Sequence, residues 1–365
     1  MSAGALPPRI LVLSGGMIHL VHQLAVASRL LPERGGSMPI AILITGVLRK
    51  QPEGLAALHG DLERWLAVLR RRQPVRFGAI QLATHLDQLP PHPWEVAVVN
   101  NQWLVSQREV VDQLDIRQLV VCGDGLGVYY RCPRELRAIA PSLLGLPIRE
   151  PGRSVRYVLS GRQPRWHRPP IPPEPVPELF RRQLFATLVD AFSERAGAEV
   201  GHCLRQANGQ RPLWLCSVPN LAHQFPGQRM PPEVLRLWAE GLGRQGFDPR
   251  VDRLQLIDHP KAPANGSFGP LTEPWVAPPL RSSLPLEVLI LLLQQADPRR
   301  EIRVCGMTSA LYAVRVLTEA QVSWLNLAPL WRTNPHYRRR PLEWVHRWLR
   351  QRRMALLTAQ VGKSP

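Results

Sequence analysis

Short runs of consecutive apolar residues, each followed by a longer stretch of helical periodicity, limit this chain more than any other feature. ILVL at 10–13, IAILI at 40–44, VAVV at 96–99 and LVVC at 119–122 present no polar face. A strand with one face in water alternates apolar and polar residues, whereas a strand covered by helices on both faces reads as a continuous apolar run. Between these runs, segments 17–31, 53–71 and 105–114 repeat apolar residues at helical spacing. The alternation predicts a doubly wound parallel α/β sheet with strands at 9–14, 39–45, 75–82, 94–99 and 118–122.

The pattern breaks at 147–177, where Arg and Pro dominate. RWHRPPIPPEPVP, at 165–177, can form neither a regular helix nor an interior strand, so a hinge belongs there. A helix at 178–196 follows, and then a second alternation: strands at 212–218, 251–257, 301–305 and 322–326, helices at 232–245, 285–296 and 308–317. The expected organisation is a first Rossmann-like domain at 1–165, a Pro-rich linker at 166–180, a second Rossmann-like domain at 181–340 and a basic helical segment at 341–365. A chain of 365 residues is long enough for two cores.

Charge narrows the partners. Lys and Arg number 46 against 28 Asp and Glu, a formal net charge of +18, with Arg runs at 70–72, 299–300, 338–340 and 352–353. Such an excess serves solubility, and it also attracts phosphate-bearing donors, acidic glycans or anionic lipid. Nucleic acid is a poorer match, because aromatic residues do not interleave with the basic runs. The five cysteines form no Cys-x-x-Cys pair and have no His at metal-ligand spacing, which argues against a metal centre. An odd number, with three of them inside apolar strand-like runs, reads as reduced, buried thiols of a cytoplasmic protein. The start MSAGALPPRILVLSGG lacks the order of a signal peptide, and the longest apolar run, near 288–293, is too short to span a bilayer. Peripheral contact of the basic C-terminal segment with an anionic membrane stays open.

In open parallel sheets ligands bind beyond the carboxyl ends of the strands, so polar residues in those loops matter most. Four loops stand out. After VVC comes Gly123-Asp124-Gly125, a carboxylate between two glycines, which is either a plain Asp-Gly turn or a general base. After LQLI comes Asp258-His259-Pro260-Lys261, where proline favours extended geometry at His259 and the imidazole can change charge near neutral pH. Pro285-Leu286-Glu287 opens an apolar helix and places a carboxylate in its first turn, a position the helix dipole alone explains. Gly306-Met307-Thr308-Ser309 joins a strand to a helix whose start suits either a simple cap or a phosphate. Ser14-Gly15-Gly16 lacks the Lys of a phosphate-binding loop and reads as a tight strand-to-helix turn.

As an ordered set these motifs resemble the bacterial GT-B sialyltransferases, including the polysialyltransferase and lipooligosaccharide sialyltransferase relatives. Those families carry an acidic-acidic-glycine motif in the first domain, then His-Pro, Pro-x-Glu and Ser/Thr-Ser motifs in the second. The resemblance implies the GT-B fold, with the reacting centre in a cleft between two Rossmann-like domains, and CMP-sialic acid as donor. It implies Asp124 as general base on the acceptor hydroxyl, His259 assisting departure of CMP, Glu287 holding the ribose, and Thr308 and Ser309 binding the single phosphate, with Lys261 also on the donor side. It implies a glycan or glycolipid acceptor and no cofactor or metal, in keeping with the lack of an Asp-x-Asp element. The chain departs from the family pattern at Gly123, which stands where the first acidic residue is usual. Two alternatives remain: a GT-B transferase with another nucleotide sugar, and a non-catalytic basic protein that binds polyanions.

Overall fold

The computed structural model describes residues 9–30, 40–45, 52–72, 80–91, 93–100, 105–123, 153–159, 174–175, 178–218, 232–258, 273–306, 308, 310–325, 352 and 355. The chain divides into two compact units, Met1–Ala191 and Phe192–Pro365. Each is built around its own parallel sheet.

In the first unit the strands are β1 (Ile10–Ser14), β2 (Ile40–Ile44), β3 (Ile80–Ala83), β4 (Val96–Val99), β5 (Gln118–Gly123), β6 (Ser154–Leu159) and the two-residue edge ladder β7 (Glu174–Pro175). Their order is β3-β2-β1-β4-β5-β6-β7, and every pairing is parallel. Three helices follow strands: α1 (Met17–Leu30) after β1, α2 (Pro52–Arg72) after β2 and α3 (Val105–Gln113) after β4. The continuous apolar runs behave as expected, since every residue of β1, β2 and β4 is buried. α1 packs on β1, β4 and β5 through Leu20, Val21 and Leu24, all at 0% exposure. On α2, Leu62, Trp65, Leu66 and Leu69 recur at helical spacing and are buried. The Trp65 indole N–H, which has no water to bond, donates to Thr187 Oγ1 at 3.0 Å on α4 (Glu178–Leu204).

The second unit repeats the plan with β8 (Leu213–Ser217), β9 (Leu254–Ile257), β10 (Val276–Leu280), β11 (Ile302–Gly306) and β12 (Gln321–Trp324), in the order β10-β9-β8-β11-β12. Its helices are α5 (Pro232–Gly243), α6 (Leu286–Ala296) and α7 (Ala310–Leu317), with α6 packed against α7. The turn before β9 is fixed by Asp252, a buried carboxylate that takes a two-pronged grip from Arg211 and the Asp248 N–H at 2.8 Å. In the core, Trp214 of β8 meets Phe247 edge to face at 5.3 Å between centroids.

Counted within each unit, both sheets run 3-2-1-4-5, the Rossmann order. That order places a switch point between β1 and β4 in the first unit and between β8 and β11 in the second. The expectation of two Rossmann-like parallel sheets therefore holds. β6, β7 and β10 are additions to the sequence-based reading, β7 lying inside the stretch expected to be linker; α4 extends past 196 to Leu204, and α7 begins at Ala310 instead of 308. Most of the linker at 166–180 lies outside the described residues, as does the segment 341–365 apart from Arg352 and Ala355. Among the described residues no helix is long and apolar enough to cross a membrane.

One buried group makes the first unit sensitive to acid. His22 of α1 is 0% exposed, lies edge-on to Phe185 with centroids 5.7 Å apart, and neither ring nitrogen is hydrogen-bonded. Burial first, then the charges of Arg181 and His19, hold its pKa well below the ordinary value of 6.5. The folded unit thus keeps His22 neutral while the unfolded chain takes up a proton below about pH 6.5, so this contribution is full above that pH and is lost as pH falls. Thermal unfolding followed from pH 7 to 5 checks this: the fall in midpoint should be shallower in His22→Phe, and equal slopes would contradict it.

Candidate functional site

Several polar residues gather at the carboxyl edge of the second sheet. Ser217 ends β8 and Gly306 ends β11, and the two are direct register partners across the switch point. The chain can make this approach only with glycine, since a Cβ on Gly306 would stand 2.5 Å from the Ser217 carbonyl oxygen, and Gly306 has φ +146°. The following residues turn into α7, with the Leu311 N–H donating to the Thr308 carbonyl at 3.2 Å. Thr308 Oγ1 then lies 3.0 Å from Ser217 Oγ. A hydroxyl at the end of β8 thus meets one in the turn between β11 and α7, and the first N–H groups of a helix lack partners inside it. Hydroxyls plus a helix start form a set that binds a phosphate oxygen.

α6 begins on the same edge, because every strand-to-helix turn of a parallel sheet does. Its starting turn is held by α4: Ser282 Oγ donates to Glu199 Oε2 at 2.5 Å, while the Ser283 N–H and Oγ donate to Glu199 Oε1 at 3.1 and 2.7 Å. The Leu284 N–H then donates back to Ser282 Oγ at 3.0 Å. Glu287 follows in the first helical turn and is only 3% exposed. At that position the helix dipole favours its carboxylate. Asp258, just beyond β9, is also buried, with its N–H donating to the Leu280 carbonyl at 2.9 Å.

The structure therefore brings Thr308 to Ser217 and sets Glu287 on the same edge. His259, Lys261 and Ser309 lie outside the described residues, as does Asp124, which follows directly on β5 in the chain. Ser217 and Glu199 were missed by the sequence reading. Ser217 had one readable signal, a hydroxyl closing the apolar run LWLCS at a strand end, whereas nothing marks Glu199 inside its helix.

Four cysteines, Cys122, Cys203, Cys216 and Cys305, are free and buried, as expected, while Cys132 lies outside the described residues. Burial, and secondarily the charge of Glu199, pushes the Cys203 thiol up to about 12. A hydrogen bond with Cys305, together with burial, raises Cys216 well above its ordinary value. Such thiols are poor nucleophiles. No group of three or more His, Cys, Asp or Glu suited to a metal occurs among the described residues.

No family model matches the chain, and no curated protein matches it either.

Proposed function

We propose that this chain is a GT-B glycosyltransferase that moves sialic acid from CMP-sialic acid to a hydroxyl of a glycan or glycolipid, with the donor held by the second unit. The observation that carries the reading is the Ser217–Thr308 hydroxyl pair at the switch point of the second sheet, beside the start of α7 and over a glycine that admits no side chain. This is a seat for one phosphate group, which is what a nucleoside monophosphate leaving group presents. The ordered motifs shared with the sialyltransferases supply the remaining roles.

In the proposed reaction Asp124 removes the proton of the acceptor hydroxyl as its oxygen bonds to the anomeric carbon of the donor. The bond from that carbon to the phosphate oxygen breaks, and CMP leaves with its charge met by His259, Lys261, Thr308, Ser309 and the helix start. Ser217 joins the phosphate group as an additional donor. Glu287 receives the ribose hydroxyls, and Glu199 fixes the turn from which its helix begins. A single phosphate so surrounded needs no metal to balance it.

Thermal unfolding with nucleotides tests the donor class. CMP near 100 times its dissociation constant should stabilise the protein by about 2.7 kcal/mol, whereas UDP and GDP at the same concentration should not. Ser217→Ala and Thr308→Val should each weaken CMP by roughly tenfold or more, since a hydrogen bond to a charged group contributes about 1.5–3 kcal/mol. Equal protection by UDP would point to another nucleotide sugar. Binding of CMP no tighter than that of any polyanion, and lost steeply with salt, would point to the polyanion reading.

A further inference from the structure

The first unit has its own switch point, between β1 and β4, and a polar network built across it. Gln107 of α3, 1% exposed, reaches in with its side-chain amide: Nε2 donates to the Leu13 carbonyl at 2.8 Å, to Thr45 Oγ1 at 3.1 Å and to Asn100 Oδ1. Leu13 and Thr45 stand at the ends of β1 and β2, and Asn100 directly follows β4. The orientation of both amides is fixed by chemistry. A backbone carbonyl only accepts, so the Gln107 atom that meets Leu13 is the nitrogen; the Asn100 atom facing that nitrogen is then the oxygen. The Asn100 NH2 must therefore point away from Gln107.

Among the described residues that NH2 has no hydrogen-bond partner, and Asn100 as a whole is 8% exposed. Gln23 of α1 makes the contrast. Its Nε2 donates to the Leu13 and Val98 carbonyls at 2.7 and 3.1 Å and it is 0% exposed, so no ligand reaches it and its task is to hold β1 to β4. Asn100 is locked in the same network, with its NH2 turned away from Gln107 at the place where doubly wound sheets bind ligands. Nine-tenths buried and rigid, such a donor loses little freedom on meeting an oxygen.

We propose that Asn100 is a ligand-binding residue of the first unit, its Nδ2 donating to an uncharged oxygen of a sugar, either a hydroxyl or an acetamido carbonyl. Neutral chemistry follows from the described network, since Thr45, Asn100 and Gln107 carry no charge to offset that of an anion. That the sugar is the acceptor rests on the sialyltransferase reading.

Side-chain amide NMR tests this on the full chain with 15N-labelled Asn. The resonance assigned to Asn100 by its absence from Asn100→Asp should shift in a saturable way on titration with lactose, N-acetyllactosamine or sialyllactose. Asn100→Asp is close to isosteric and keeps the oxygen that Gln107 needs, so it should fold, bind CMP as the parent does, and raise the KM for these acceptors by about tenfold or more with donor KM unchanged. Asn100→Ser, which retains an oxygen but not the reach, should do the same and covers the case in which the aspartate variant fails to fold. An Asn100 resonance unmoved by all three sugars, or a variant that binds them as tightly as the parent, overturns the proposal. If the resonance shifts while CMP neither binds nor is released from CMP-sialic acid, the sugar site stands and the donor reading falls.

Discussion

Gly306→Ala should lower the unfolding midpoint of the second unit by roughly 6–12 °C, the largest stability effect expected of any single methyl group in this protein. The added carbon would stand 2.5 Å from the Ser217 carbonyl oxygen and 3.3 Å from two further Ser217 atoms. All three belong to the adjacent strand, so no side-chain rotation relieves the contact. Separating the strands would strain the Gly306–Ser217 register and the bond from the Leu325 N–H to the Gly306 carbonyl, 2.7 Å long. Conformation adds to the cost, because φ +146° is open to glycine and unfavourable by about 1–3 kcal/mol for other residues. A total near 3 kcal/mol converts to the stated shift at about 2–4 °C per kcal/mol for a unit of this size. Calorimetry of the variant checks it, and a midpoint within a degree of the parent would show that the close approach at the switch point is not as described.

The largest effects on activity belong to Asp124 and His259. Asp124→Ala and His259→Ala should each reduce transfer by about 10²–10⁴-fold with the unfolding midpoint unchanged, the usual contribution of a positioned acid or base. The two differ in what else they affect. In the proposed reaction Asp124 acts on the acceptor, so its removal should spare the slow hydrolysis of donor by water. There His259 acts on the leaving phosphate, so its removal should slow hydrolysis and transfer together. The comparison also bears on Gly123, where the sialyltransferases that the motifs resemble carry a further carboxylate: full dependence on Asp124 would mean that one carboxylate suffices. Transfer by either variant at the parental rate would remove that residue from the mechanism.

How far such a site is legible in sequence depends on which contacts are local. β1, β2, β4 and β8 were readable because strands buried on both faces leave continuous apolar runs. β6, SVRYVL, is hard to read because Arg156 interrupts it, and β10, VAPPL, because Pro278 and Pro279 contradict an interior strand; β10 tolerates them as an edge strand. The helix expected to stop at 196 runs through Gly197 and Gly201 to Leu204 because tertiary contacts outweigh the glycine propensity: Val200 and Cys203 are buried, and Glu199 and His202 bond to Ser282 and Gln255. Thr308 was visible as a hydroxyl at a helix start. Its partner Ser217 is 91 residues away and becomes its neighbour only because β8 lies beside β11. Asn100 and Gln107 are close in sequence, yet their role depends on the carbonyl of Leu13, contributed by a strand 94 residues before Gln107. Strand order, which periodicity does not encode, decides both pairs.

The most direct test is to incubate the purified protein with CMP-N-acetylneuraminic acid and lactose-type or sialylated acceptors, in the presence of a chelator, and to follow CMP release and product mass. Acceptor-dependent CMP release with a product heavier by one or more sialic acid residues is the predicted result. No release with any of these acceptors, together with no protection of the fold by CMP, would contradict the assignment of the Ser217–Thr308 edge to a CMP-linked donor.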